Sequence, residues 1–371
     1  MKLQRWLSGC MALILWLGCL VLPAGASSED LGTVIDQAAR AEHSLGGGSE
    51  SGLLADQSVC PAGSNFCDWA AFAMARTGQD EDYAAYLKAL EHYVTQQYMQ
   101  EQNGVNGRHR IALTVLALGG DPTAFGTASD GSAINLVADA TDAYAGDFTQ
   151  ETTNILAFAL ITLDAMDYAV PADAAYTRRE LLAQLLARQT PTDGGFGLTA
   201  GSSDVDVTAM VIQALAPYQQ EPEVENATDQ ALAYLINAMD DQGTYTAYGT
   251  DSSESLCQVI IALCNLGIDP DRDGRFGSPT QTLLQYRCSD GGFRHALADE
   301  QGDFIATQQA MLALSAVERV RAGVNGIYDL TDGSQGQSGG VPGWLVVVLA
   351  IATAAVVVTV ILRKKRGKNH V

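Results

Sequence analysis

Six segments of this chain are apolar almost all the way round. They are Asp68–Gly78, His109–Gly119, Thr153–Leu160, Asp206–Leu215, Glu254–Leu263 and Ile305–Leu314. Each starts on a polar residue, runs through Ala, Leu, Ile and Val, and stops near a Leu-Gly, Asp-Pro or Pro-Tyr pair. A helix without a polar face is buried on every side. Between these segments lie amphipathic ones: Leu31–Ala41, Tyr83–Tyr98, Ala133–Ala140, Arg178–Arg188, Asp229–Met239 and Gln281–Tyr286. The repeat spacing drifts between roughly 40 and 55 residues, as in arrays of helix pairs. Six buried helices alternating with six amphipathic ones predict an all-α, closed (α/α)6 toroid from about Leu31 to Tyr328. A straight solenoid is the alternative. Glu221–Glu225 and Asn226–Thr228 read as solvated loop.

The two ends carry a different pattern. Lys2 and Arg5 precede an apolar run from Met11 to Leu22, and Ala24-Gly-Ala26 supplies small residues. This predicts a signal peptide over 1–26. Gly343–Leu362 is uncharged and apolar, long enough for a transmembrane helix, with Arg363–Arg366 behind it. The positive-inside rule keeps the tail 363–371 cytoplasmic. The expected order is signal peptide, ectodomain 27–330, Gly/Ser linker 331–342, span 343–362 and tail. The chain then sits in the plasma membrane by one C-terminal helix with its domain outside.

Without those ends, 14 lysines and arginines face 43 acidic residues, a net charge near −29. Such a field excludes nucleic acid as a partner and repels anionic lipid. Cys60 and Cys67 flank a short loop, where a local disulfide is plausible outside the cell. Cys257, Cys264 and Cys288 have no metal-ligand spacing and read as buried thiols.

The turn Asp193-Gly-Gly-Phe196 recurs as Asp290-Gly-Gly-Phe293, each after a helix rich in Leu and Gln. With Leu182–Gln189 before it, the first copy resembles the glutamine/aromatic repeat of the terpenoid cyclase/protein prenyltransferase toroids. Those relatives include secreted cobalamin carriers of the intrinsic factor and transcobalamin type. Asp204-Val-Asp206-Val-Thr208-Ala209 is similar to the Asp-x-Asp-Asp-Thr-Ala of squalene–hopene-type cyclases. The resemblance implies that Asp206 protonates an alkene with Asp204 in support, but Val207 replaces one supporting carboxylate. The bland reading is that both acids cap a helix, whose dipole would favour the charged form.

If the inner-helix starts gather around one mouth, Trp69, Arg108, His109, Asn154, Glu254, Gln258, Thr307 and Gln308 line a common ligand cavity. His109, between two arginines, is the hardest to explain as core. Asp269, Asp271 and Asp273 have the spacing of a calcium loop, although Thr280 stands where a bidentate Glu belongs. The expectation is a membrane-anchored toroid that binds a small molecule or extracellular partner. The rivals are an enzyme with Asp206 as acid, of terpene cyclase or prenyltransferase type, and a structural or adhesive surface module.

Overall fold

The computed structural model describes residues 30–48, 52–98, 105–247 and 249–331. The expected signal peptide, the apolar run 343–362 and the basic tail lie outside the described residues, as does the linker beyond Thr331. Among the described residues no helix is long and apolar enough to cross a membrane.

Twelve α-helices follow in order among the described residues. They are α1 (Leu31–Leu45), α2 (Asn65–Arg76), α3 (Tyr83–Tyr93), α4 (Val105–Ala117), α5 (Leu136–Ala140) and α6 (Thr153–Asp164). After them come α7 (Arg178–Leu186), α8 (Val205–Leu215), α9 (Pro222–Ala238), α10 (Ser253–Asn265), α11 (Pro279–Leu284) and α12 (Phe304–Ala322). The even-numbered helices are the segments without a polar face. Each packs on the next, and α12 packs back on α2, closing the ring. The odd-numbered helices lie outside: α1, α5, α7, α9 and α11 pack against them, and α3 meets α2 through Tyr86, whose hydroxyl donates to Asp68. Closure rules out the solenoid. In α6 the whole run Ile155–Leu163 is buried, as a helix flanked on every side must be.

One stretch that reads as loop in the sequence is helical. Glu221–Thr228 is not loop: α9 begins at Pro222, which presets the first-turn φ, and Glu223 and Glu225 complement the helix dipole there. Val224, Ala227 and Thr228, spaced three and four apart, are buried against the ring. The acidic surface face masked this stripe.

The paired-glycine turns are hinges between outer and inner layers. Gly194 has φ +79° and Gly291 φ +96°, the left-handed region that glycine enters without strain. A side chain on Gly195 would run into Ser203 and Tyr234. Phe196 N–H donates to Thr208 Oγ1 (2.8 Å), and Thr208 donates back to Phe196 O (3.0 Å). Phe293 and Thr307 repeat the exchange at 2.9 and 3.3 Å. Each turn is therefore clamped by a threonine four residues into the next inner helix, and both phenylalanines are fully buried.

The caps follow the same rule. Asp204 accepts from Val207 N (3.0 Å), and Asp303 accepts from Ile305 N and Ala306 N. Asp204→Ala is expected to lower the unfolding free energy by about 1 kcal/mol, and Asp204→Asn by much less. Denaturant unfolding of the two variants checks this.

Candidate functional site

The starts of the inner helices surround one mouth of the ring, which opens into a cavity of about 240 Å³. Its wall is built by helical spacing. Asn65 and Trp69 are four apart on α2, as are Asn154 and Phe158 on α6; Ile305, Gln308 and Leu312 run down one face of α12. Phe66, Met210, Gln258, Gln309 and Tyr328 complete it. No carboxyl, basic side chain or thiol is among these residues.

The floor is aromatic. Trp69 meets Phe72 edge-on at 5.6 Å and Phe158 at 5.8 Å between ring centroids. Tyr328 stacks on Phe72 (5.5 Å, 25°) and meets Phe158 edge-on (6.1 Å). Tyr328 comes from the segment after α12, which crosses the far end of the ring. Arg76 holds that segment by donating to Ile327 O (2.8 Å), Gly326 O (3.3 Å) and Asp329 O (3.1 Å). Leu330 N–H donates to Ala165 O.

Amides of the wall are joined to one another and to the buried Gln213 of α8. Gln213 Nε2 donates to Gln258 Oε1 (3.0 Å), and Gln258 Nε2 donates to Gln309 Oε1 (3.0 Å), linking α8, α10 and α12. Gln308 Oε1 is buried without a hydrogen-bond partner. A carbonyl oxygen held this way accepts from a hydroxyl or amide that enters the cavity.

Four of the eight expected ligand residues, Trp69, Asn154, Gln258 and Gln308, line this cavity. The others do not. His109 is fully buried, with Nδ1 on Thr162 Oγ1 (3.1 Å). Burial, with Arg108 adding to it, pulls its pKa down to about 3, so the ring is neutral core. Arg108 reaches outward to Asp139 O (3.1 Å). Thr307 is spent on its turn clamp. Glu254 pairs with His295 Nδ1 (2.7 Å). Asn65, Phe66, Met210, Ile305, Gln309, Leu312 and Tyr328 were not singled out by the sequence, although α2 and α12 carry the spacing that places most of them.

The two aspartates separate in role. Asp204 is the helix cap. Asp206 turns toward Ser255 and α10, and one carboxylate oxygen has no partner. Burial pushes its pKa up to about 6, Ser255 opposes the shift, and Asp204 and Glu254 add to it. The helix dipole was expected to keep this carboxyl charged; desolvation between two inner helices outweighs it. Asp206 is not part of the cavity wall.

At the expected calcium loop the carboxylates face arginines. Asp269 binds Arg321 Nε (3.0 Å) and Arg272 (3.2 Å), and Asp271 binds Arg321 Nη2 (2.6 Å). Asp273 binds Arg275 (2.6 Å). All three carboxylates are thus paired with arginines. No group of three or more metal-binding side chains occurs among the described residues. Cys60 and Cys67 are both buried, with their unbridged thiols in contact.

The closed double ring defines the class: an α/α toroid. The prenyltransferase alpha-alpha toroid domain matches residues 20–110 and 135–321, so the chain belongs to that family. Similar folds occur in unsaturated glucuronyl hydrolases. One is the enzyme of Bacillus sp. GL1, described as responsible for the degradation of glycosaminoglycan. It has a TM-score of 0.52 and 12% identity, over 81% of this chain and 98% of that one. Another is a mutant of the Streptococcus agalactiae enzyme, with a TM-score of 0.51 and 11% identity, over 77% and 90%. At such identities the likeness concerns the fold. No curated protein sequence matches the chain significantly.

Proposed function

We infer that the chain is a cell-surface receptor that binds a neutral, sugar-sized group in the mouth of its ring and leaves it chemically unchanged. The observation that carries this is the cavity wall, where amides surround an aromatic floor and no carboxyl, basic side chain or thiol takes part. Aromatic faces pack against the apolar C–H faces of a pyranose, and amides bond its hydroxyls. A cavity of about 240 Å³ is below the usual range for drug-sized ligands, roughly 300–1,000 Å³, and suits one ring. An open mouth weighs against a purely structural or adhesive module. The apolar run Gly343–Leu362 and the basic residues after it support a single C-terminal anchor, with the signal segment directing the toroid outward.

Calorimetric titration of the purified full-length chain tests the reading. N-acetylglucosamine is expected to bind saturably, and Trp69→Ala to weaken it by about ten-fold or more. Glucuronate is expected to bind more weakly than the neutral sugar, because no cation lines the wall. Equal or tighter binding of glucuronate, or no sugar binding at all, overturns the proposal.

A second reading rests on Asp206. A carboxyl that is half-protonated near pH 6, beside Glu254, has the poise of a general acid. It supports an enzyme, whether cyclase-, transferase- or hydrolase-like, in which Asp206→Asn abolishes turnover. Its position outside the cavity wall makes it the weaker of the two.

A further inference from the structure

The opposite end of the ring holds a second and larger cavity, about 390 Å³, which shares only Tyr328 with the mouth. Here the inner helices end. The last carbonyls of an α-helix have no intrahelical donor and carry the negative end of its dipole. Asp164 closes α6, Asn265 closes α10, and both line the cavity, with Asp167 and Asp329 beside them. Neither lysine, arginine nor histidine is among its lining residues.

Two further polar atoms point to a ligand. Gln213 is 3% exposed and lines this cavity; its amide N–H group is spent on Gln258, while its Oε1 has no partner. Asn265 Oδ1 is likewise buried and unpartnered. Leaving such an oxygen unsatisfied costs roughly 1–3 kcal/mol, and hydrogen bonds to a charged donor repay more than neutral ones. Asp164 is occupied by Arg178 (2.8 Å) and Tyr218 (2.8 Å), and Asp329 accepts from Thr331. Asp167 is almost fully exposed at the rim and lies 3.6 Å from the same Arg178 guanidinium. The cavity therefore offers acceptors, carboxylates that Arg178 offsets only in part, and the ring of Tyr328 in its wall.

We propose that this far cavity is a second binding site, for a small organic ammonium ion whose N–H groups bond Gln213 Oε1 and Asn265 Oδ1. The carboxylates supply attraction over distance, and Tyr328 offers a π-face to the cation. The site stands apart from the sugar reading, since the two cavities share only Tyr328 and the mouth is uncharged where the far cavity carries carboxylates.

The test is calorimetric titration of the full-length chain with 1,4-diaminobutane, using 1,4-butanediol as the neutral counterpart. The diamine is expected to bind saturably and the diol not to. Asn265→Leu should weaken diamine binding about ten-fold, whereas Asn265→Asp should tighten it. Loss of folding cannot produce opposite changes from one position. Raising the salt concentration should weaken binding through screening. Absence of diamine binding, equal binding of the diol, or the same change in both Asn265 variants overturns the proposal.

Discussion

Arg110→Ala is expected to lower the unfolding free energy by about 3–5 kcal/mol, a large part of the roughly 5–15 kcal/mol that holds a domain folded. Asp68 is wholly buried, and its charge is met by Arg110 Nε at 2.9 Å. Tyr86 OH (2.8 Å) and Gly63 N–H (2.9 Å) donate to the other carboxylate oxygen. Arg110 also donates to Asn65 Oδ1 (3.1 Å) and Gly63 O (2.9 Å). Truncating it leaves a buried carboxylate without its cation and releases the loop that delivers Asn65 to the cavity. Lysine should not restore the loss, because one ammonium cannot reproduce three separately aimed guanidinium bonds. The double variant Asp68→Leu with Arg110→Met should recover much of it, since exchanging a buried pair for apolar groups is far cheaper than breaking it. Urea unfolding of the three proteins reads the difference. A change below about 1 kcal/mol for Arg110→Ala would show that the pair is not a support of the fold.

Asp206→Asn is expected to stabilise the protein at pH 7, by about 2 kcal/mol, and to do little at pH 4. The carboxyl has an ordinary pKa of about 3.9 when unfolded and about 6 when folded. In that window the folded state holds the extra proton. The wild type therefore has its full contribution below about pH 4 and loses it as pH rises through about 6. Asparagine does not ionise and escapes the loss. Unfolding midpoints of both proteins measured from pH 4 to 8 should converge at the acid end and separate at the neutral end. A less stable Asp206→Asn at pH 7 would mean that the dipole of α8 governs this carboxyl after all.

The ring was legible because its signal is periodic. A helix buried on all sides needs apolar residues at every position, and six such runs leave few architectures open. Outer helices with mixed surfaces were harder: the acidic face of α9 hid the stripe formed by Val224, Ala227 and Thr228. In the candidate site, Trp69, Asn154, Gln258 and Gln308 could be found from their place near helix starts. His109 could not be judged that way. Its arginine neighbours suggested a polar surface, but successive helical residues diverge by about 100°, so Arg108 and Arg110 leave in other directions. Tyr328 carries no motif and reaches the floor only because the chain folds back beneath the ring. The raised pKa of Asp206 depends on how closely α8 and α10 pack, which no local pattern records.

The most direct measurement is native mass spectrometry of the full-length chain after incubation with N,N′-diacetylchitobiose, for wild type, Trp69→Ala and Asp206→Asn. Receptor function without catalysis requires that wild type and Asp206→Asn each carry the intact disaccharide and that Trp69→Ala carry at least about ten-fold less. Cleavage or modification of the sugar by the wild type, lost in Asp206→Asn, would contradict it.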